Sequence, residues 1–136
     1  MDGRHLSQLL DAAADRRPDH PAVEDERGRA LSFAELHREA DRLATRLSRW
    51  GAERGDRIGL WLPKSLEAVA AIHGILKAGA AYVPLDPTGP APRAAGIFAA
   101  AGVKAVATTA RLAPALRQAW GAQECHGPSP RLIVVA

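Results

Sequence analysis

The chain has 136 residues, enough for one domain of ordinary size but too few for two. Lys and Arg number 18 against 15 Asp and Glu, a net charge of +3, and no basic run accompanies this excess, which argues against nucleic-acid binding. No stretch reaches the roughly 20 apolar residues of a membrane span, the opening MDGRH lacks the apolar core of a signal peptide, and the single cysteine, Cys125, excludes an internal disulfide framework. We therefore expect a cytoplasmic domain without a membrane segment.

The first elements predicted along the chain are a helix and a hairpin. Residues 5–17 repeat apolar side chains at helical spacing, and Pro18 ends the pattern. The expected apolar face consists of Leu6, Leu9, Leu10, Ala13 and Ala14. Residues 22–25 and 30–32 are short extended runs joined by a polar turn, which predicts a short N-terminal hairpin.

A capping box marks the start of the next helix. Ser32 stands at the N-cap position and Glu35 three residues later, so each side chain is able to satisfy a backbone amide of the other. Apolar residues then recur on one side of the helix as far as Trp50, and Gly51 is the expected left-handed cap.

Strands and helices alternate in the rest of the sequence. We expect strands at 57–62, 82–85, 104–108 and 132–136, helices at 65–78, 93–101 and 112–120, and loops at 87–92 and 126–130. Gly79, Gly102 and Gly121 are expected to end the three helices. This alternation predicts an α/β fold with a mostly parallel sheet, and Pro84, which lacks an amide donor, is expected at a sheet edge or at a strand end.

The sequence offers no assembled catalytic, cofactor-binding or metal-binding residues. Neither G-x-x-x-x-G-K-[ST] nor G-x-G-x-x-G is present, and Cys125 with His126 has no second pair of metal ligands. His37 falls on the polar side of the capped helix. His73 shares the polar edge of its helix with Lys77, where we expect a satisfied histidine rather than a catalytic base.

Two segments resemble the core motifs of a known family. Residues 31–36 (LSFAEL) resemble the first core motif of adenylate-forming, AMP-binding enzymes, and residues 76–87 (LKAGAAYVPLDP) resemble the second. The family includes the adenylation domains of nonribosomal peptide synthetases and the acyl-CoA ligases. The resemblance extends over the chain from Leu6 onward, and it implies the N-terminal portion of the family's large domain.

The resemblance also implies a reaction and its requirements. Such enzymes couple a carboxylic acid to ATP with Mg²⁺, release pyrophosphate, and pass the acyl group to coenzyme A or a carrier-protein phosphopantetheine. Their phosphate loop and C-terminal lid have no counterpart in residues 1–136, which we expect to form a single partial domain. The chain is thus interpreted as a scaffold piece of an acid-activating ligase, with a preference for amino-acid activation. It is expected to be inactive alone and to hold no cofactor of its own.

Two alternatives stay open at this point. The first is a non-catalytic interaction module that associates with itself, because the strand at 132–136 has no following helix and the alanine-rich helices before it have weak apolar faces. Under the scaffold interpretation the chain is a split gene product, a truncated relic or an excised piece, and in the split case we expect a complementing chain with the rest of the adenylation domain. The second alternative is a mononucleotide-binding domain, which is less favoured because the loops at 63–65 and 86–92 are rich in proline and poor in glycine. The sequence does not specify the acid substrate.

Overall fold

The computed structural model describes residues 6–122 and 129–136. The described elements, in chain order, are α1 (Leu6–Arg16), β1 (Pro21–Glu24), β2 (Ala30–Ser32), α2 (Phe33–Arg49), β3 (Arg57–Trp61), α3 (Leu66–Lys77), β4 (Ala81–Pro84), α4 (Ala91–Ala101), β5 (Ala105–Thr108), α5 (Ala113–Ala122) and β6 (Arg131–Val134). The chain divides into two compact units. Unit 1 comprises the described residues of 1–53 and 64–79, and unit 2 comprises those of 54–63 and 80–136.

Unit 1 contains α1, the β1–β2 hairpin, α2 and α3. The two strands pair antiparallel, as predicted, with Val23 opposite Leu31. The capping box is also confirmed: the Glu35 amide donates to Ser32 Oγ at 3.1 Å, and the Ser32 amide donates to Glu35 Oε1 at 3.3 Å. At the other end of α2, Gly51 has a φ of 89°, which is the left-handed conformation expected for it.

Helices α2 and α3 approach closely at Gly74. A Cβ atom on this residue would lie 2.8 Å from Leu43 Cβ and 2.9 Å from the carbonyl oxygen of Ala40. Only glycine therefore fits at this point without displacing the neighbouring helix. The apolar core of the unit includes Leu10, Leu36, Ala40 and Ala70, all of them buried.

Helix α1 departs from the apolar face expected for it. Leu10 is 4% exposed, whereas Leu6 and Leu9 are 64% and 65% exposed. The periodicity therefore identified a helix correctly, but it overestimated how much of that helix is buried. Of the five residues predicted for this face only Leu10 is fully buried, while Ala13 and Ala14 are half-buried.

Unit 2 contains a parallel four-stranded sheet in the order β4–β3–β5–β6. The order confirms the predicted parallel sheet and places Pro84 in an edge strand, where its missing amide interrupts no ladder. Helices α4 and α5 contribute to a buried cluster around Trp61, Phe98, Val106 and Leu116. Gly59 in β3 makes room for the Phe98 ring, because a Cβ there would lie 2.6 Å from Phe98 Cε1.

Two predicted helix boundaries in unit 2 are wrong. Helix α4 begins at Ala91, so Pro92 belongs to its first turn, where an amide would have no helical acceptor. Helix α5 continues through Gly121 to Ala122; Gly102 has a φ of 66°, but Gly121 does not have a positive φ. The Cys125–His126 pair and most of the loop predicted at 126–130 lie outside the described residues.

Membrane insertion finds no support in the helices. Within residues 6–122 and 129–136, no helix combines the length and the apolar character that crossing a bilayer requires.

Candidate functional site

Parallel sheets bind ligands beyond the carboxyl ends of their strands. The carboxyl edge of the four-stranded sheet is therefore the first candidate site. Several polar groups at this edge form hydrogen bonds within unit 2. Thr108 Oγ1 donates to the Trp61 carbonyl oxygen at 2.7 Å, and Trp61 Nε1 donates to the Asp86 carbonyl oxygen at 3.2 Å. Thr109 Oγ1 accepts from the Leu112 amide at the start of α5.

The Asp86 carboxylate at the same edge is also engaged. Its Oδ1 accepts from the Thr88 amide at 2.9 Å and from Thr88 Oγ1 at 2.7 Å, and the Gly89 amide donates to the Asp86 carbonyl oxygen. These hydrogen bonds from the Thr88 backbone and side chain lower the pKa of Asp86.

This donor set does not fit ATP with Mg²⁺. A triphosphate requires free backbone amides and cationic side chains around its oxygens, and the groups named above are already engaged in hydrogen bonds within unit 2. No group of three or more His, Cys, Asp or Glu side chains within the described residues is arranged to hold a metal ion. We therefore derive no catalytic step for these residues.

A second polar feature lies in unit 1, where α1, α2 and α3 meet. We call it the ion-pair cluster; it consists of Asp11, His37, Asp41 and Lys77. Lys77 Nζ lies 2.7 Å from Asp41 Oδ1, 2.8 Å from Asp11 Oδ1 and 3.0 Å from His37 Nε2. His37 in turn places Nε2 at 2.9 Å from Asp11 Oδ1 and Nδ1 at 3.2 Å from Asp41 Oδ2.

Burial and neighbouring charges have opposite effects on the pKa values of Lys77 and Asp11 in the ion-pair cluster. The Lys77 side chain is only 11% exposed. Burial by itself lowers the pKa of Lys77, but hydrogen bonds to Asp11 and Asp41 outweigh it and the pKa is raised. The hydrogen bond from Lys77 lowers the pKa of Asp11, against the opposing effect of burial. Both groups are therefore charged near neutral pH, so the cluster joins the three helices by ionic contacts.

The two histidine predictions have different outcomes. His37 lies among polar side chains of α2 as predicted, and there it belongs to the ion-pair cluster with its side chain 31% exposed. His73 is not a satisfied histidine: its Nδ1 is buried without a hydrogen-bond partner among the described residues. Burial, and after it the charge of Lys77, lower the pKa of His73. A single lysine in an apolar helix was the sequence signal for the cluster, since a buried ammonium requires carboxylate partners.

A third feature is an open groove of about 530 Å³ in unit 1, between the hairpin turn and the start of α3. Arg29 crosses it, with Nε 2.8 Å from Asp25 Oδ2 and Nη1 3.2 Å from Glu67 Oε1. The charged side chains lining the groove are three acidic and three basic, namely Glu24, Asp25, Glu26, Arg27, Arg29 and Lys64. Their formal charges sum to zero.

The fold defines the class of protein to which the chain corresponds. The N-terminal domain of FACL13 from Mycobacterium tuberculosis superposes with a TM-score of 0.79 at 30% identity, covering 90% of this chain and 31% of that one. The nonribosomal peptide synthetase FmoA3, in its alpha-methyl-L-serine-AMP-bound form, gives a TM-score of 0.83 at 33% identity over 97% of this chain. The chain therefore has the fold of the N-terminal portion of adenylate-forming enzymes.

The sequence comparisons identify the family. The profile of the AMP-binding enzymes matches residues 10–134, so the chain belongs to the AMP-binding enzyme family. Phosphinothricin tripeptide synthetase PhsB of Streptomyces viridochromogenes is 38% identical over 110 residues, which are 81% of this chain. The chain spans only 9% of PhsB and 14% of the FmoA3 chain.

Proposed function

We propose that this chain is a scaffold segment of an adenylation domain that joins an amino acid to AMP and transfers the aminoacyl group to a carrier protein. One observation carries the proposal: the backbone superposes over 97% of its length on a peptide synthetase crystallised with alpha-methyl-L-serine-AMP. The match to PhsB, a tripeptide synthetase, supports an amino acid over a fatty acid as the substrate.

The scaffold role agrees with where the polar groups of the chain are used. Both segments that resemble the family's core motifs contribute to structure: Ser32 and Glu35 cap α2, and Lys77 joins three helices. At the carboxyl edge of the sheet, Asp86 is held by Thr88. We therefore propose further that the 136-residue chain does not form an adenylate when it is alone.

The test is amino-acid-dependent exchange between ATP and pyrophosphate, measured with the purified chain and with its mixture with a polypeptide carrying the rest of an adenylation domain. We expect no exchange by the chain alone and exchange by the mixture. Exchange by the chain alone would contradict its role as a scaffold. Fatty acids form the parallel series, and a mixture that accepts them but no amino acid would contradict the proposed substrate class.

A second candidate function is a non-catalytic interaction module that associates with itself. Two observations in unit 2 favour it. Among the described strands, β6 pairs with β5 only, and its Val134 is 42% exposed. An apolar groove of about 290 Å³ lies beside it, lined in part by Leu116, Trp120 and Leu132. An unpaired strand edge next to an apolar groove is a template for association.

Sedimentation equilibrium at micromolar concentration separates the two candidates. A self-associating module forms a dimer that Val134→Lys abolishes, because the substitution places a charge on the free edge. Ile97→Lys is the matched control, since Ile97 is 38% exposed on α4 and lies outside β6. A monomer at all concentrations would contradict the module.

A further inference from the structure

Helix α1 is attached to unit 1 by few contacts. Leu10 is its one fully buried side chain among those described, while Leu6 and Leu9 point into solvent. Docking of a helix on its neighbours depends on the apolar area that it buries. Since α1 buries little, its polar contacts have a larger share in holding it in place.

The carboxylate of Asp11 makes polar contacts from α1 to two other helices. Asp11 Oδ1 lies 2.8 Å from Lys77 Nζ in α3 and 2.9 Å from His37 Nε2 in α2. Asp11 therefore connects α1 to both of the helices on which it packs. Because Lys77 is 11% exposed, this contact is less screened by solvent than an ion pair on the surface.

The connection between α2 and α3 does not require Asp11. Asp41 in α2 lies 2.7 Å from Lys77 Nζ, and this contact does not involve Asp11. Gly74 and Leu43 also bring these two helices into direct van der Waals contact. Loss of the Asp11 charge thus acts on α1 and leaves the α2–α3 pair intact.

We propose that α1 is a detachable helix, whose docking on α2 and α3 is controlled by the charge of Asp11 in the ion-pair cluster. The undocked state exposes Leu10 beside Leu6 and Leu9, so detachment converts α1 into a helix with a continuous leucine face. The docking of α1 involves only residues of unit 1, and the proposal does not depend on the proposed function.

Hydrogen–deuterium exchange of the 136-residue chain tests the proposal through the amides of α1. In Asp11→Asn we expect exchange in α1 to be about three- to tenfold faster, the range for loss of a partly exposed charge-assisted contact. Exchange in α2, α3 and β5 is expected to stay at the wild-type rate. Asp15→Asn is the matched control, because Asp15 is exposed on the same helix and the change in charge is identical.

A second variant distinguishes control by Asp11 from general weakening of the cluster. In Asp41→Asn, Asp11 still contacts Lys77 and His37, so we expect exchange in α1 to stay within about twofold of wild type. The proposal is overturned if Asp11→Asn exchanges no faster than Asp15→Asn in α1, or if it accelerates α1, α2 and α3 together. It is equally overturned if Asp41→Asn releases α1 as much as Asp11→Asn does.

Discussion

The two units of the chain are stabilised by different kinds of contact. In unit 1, charged side chains link separate elements, as Lys77 does among three helices and Arg29 does between the hairpin and Glu67. In unit 2, the buried cluster combines two aromatic residues, Trp61 and Phe98, with many alanines. The charge count agrees, since the sequence ranges of unit 1 (1–53 and 64–79) contain 11 basic and 12 acidic side chains, and those of unit 2 (54–63 and 80–136) contain 7 and 3. The helices of unit 1 are thus joined by ionic contacts as well as by apolar packing, whereas the alanine-rich core of unit 2 depends on a few large side chains.

The largest expected effect tests this dependence in unit 2. Phe98 is 0% exposed, and its ring touches Gly59 in β3. We expect Phe98→Ala to lower the free energy of unfolding by about 3–5 kcal/mol, since small alanines cannot fill the cavity. Urea denaturation followed by circular dichroism measures the loss. The neighbouring Ile97→Ala is the control, expected within about 1 kcal/mol of wild type; equal losses in the two variants would contradict the prediction.

The next effect concerns packing between helices in unit 1. Gly74→Ala places a Cβ against Leu43 and the Ala40 carbonyl, which costs about 1–3 kcal/mol, partly offset by the better helix propensity of alanine. We expect a net loss of about 1–2 kcal/mol. The control is Gly121→Ala in α5, where a Cβ meets nothing within 4 Å. There the same exchange is expected to stabilise by about 0.5–1 kcal/mol, so shifts of the same sign would refute the argument.

A smaller effect tests the side-chain cap at the start of α2 in unit 1. Ser32→Ala removes the acceptor for the Glu35 amide and is expected to cost about 1 kcal/mol of unfolding free energy. Ser48→Ala, an exposed position in the last turns of the same helix, is the comparison and should not destabilise. Thermal denaturation of both variants measures the difference, and no loss in Ser32→Ala would show that the cap is dispensable.

The smallest expected effect is a change in how steeply the free energy of unfolding depends on pH. Burial and Lys77 hold the pKa of His73 below its ordinary value of 6.5. As the pH falls below about 6.5, the unfolded chain binds a proton at His73 and the folded chain does not, so stability is lost until the pH passes the lower folded pKa. We expect His73→Leu to flatten the decline of unfolding free energy between about pH 7 and pH 5. An unchanged slope, measured by urea denaturation across this range, would contradict the assignment.

Local signals were sufficient for much of the fold. The capping box at Ser32 involves residues three apart, and the helix end at Gly102 depends on one residue's backbone, so both could be predicted from short stretches. Gly121 shows the limit of such signals. A glycine ends a helix only where the following chain turns away, and the spacing of residues near Gly121 carries no information about that turn.

The contacts within unit 1 could not be predicted in the same way. Asp11, His37 and Lys77 belong to three different helices, and His37 and Lys77 are 40 positions apart. Periodicity assigns each residue to a face of its own helix but does not say which faces meet. Membership of the family could be predicted from the sequence, because the segments at 31–36 and 76–87 resemble its core motifs and require no knowledge of these contacts.

The near burial of Lys77 has a practical consequence for chemical labelling. The chain has three lysines, and Lys64 and Lys104 are exposed. An acylating reagent that attacks neutral amines will modify those two quickly and Lys77 slowly, because its ammonium group is both shielded and held in the protonated form. The rate of acetylation at Lys77, followed by mass spectrometry, therefore reports how often the three helices separate, without any substitution in the protein.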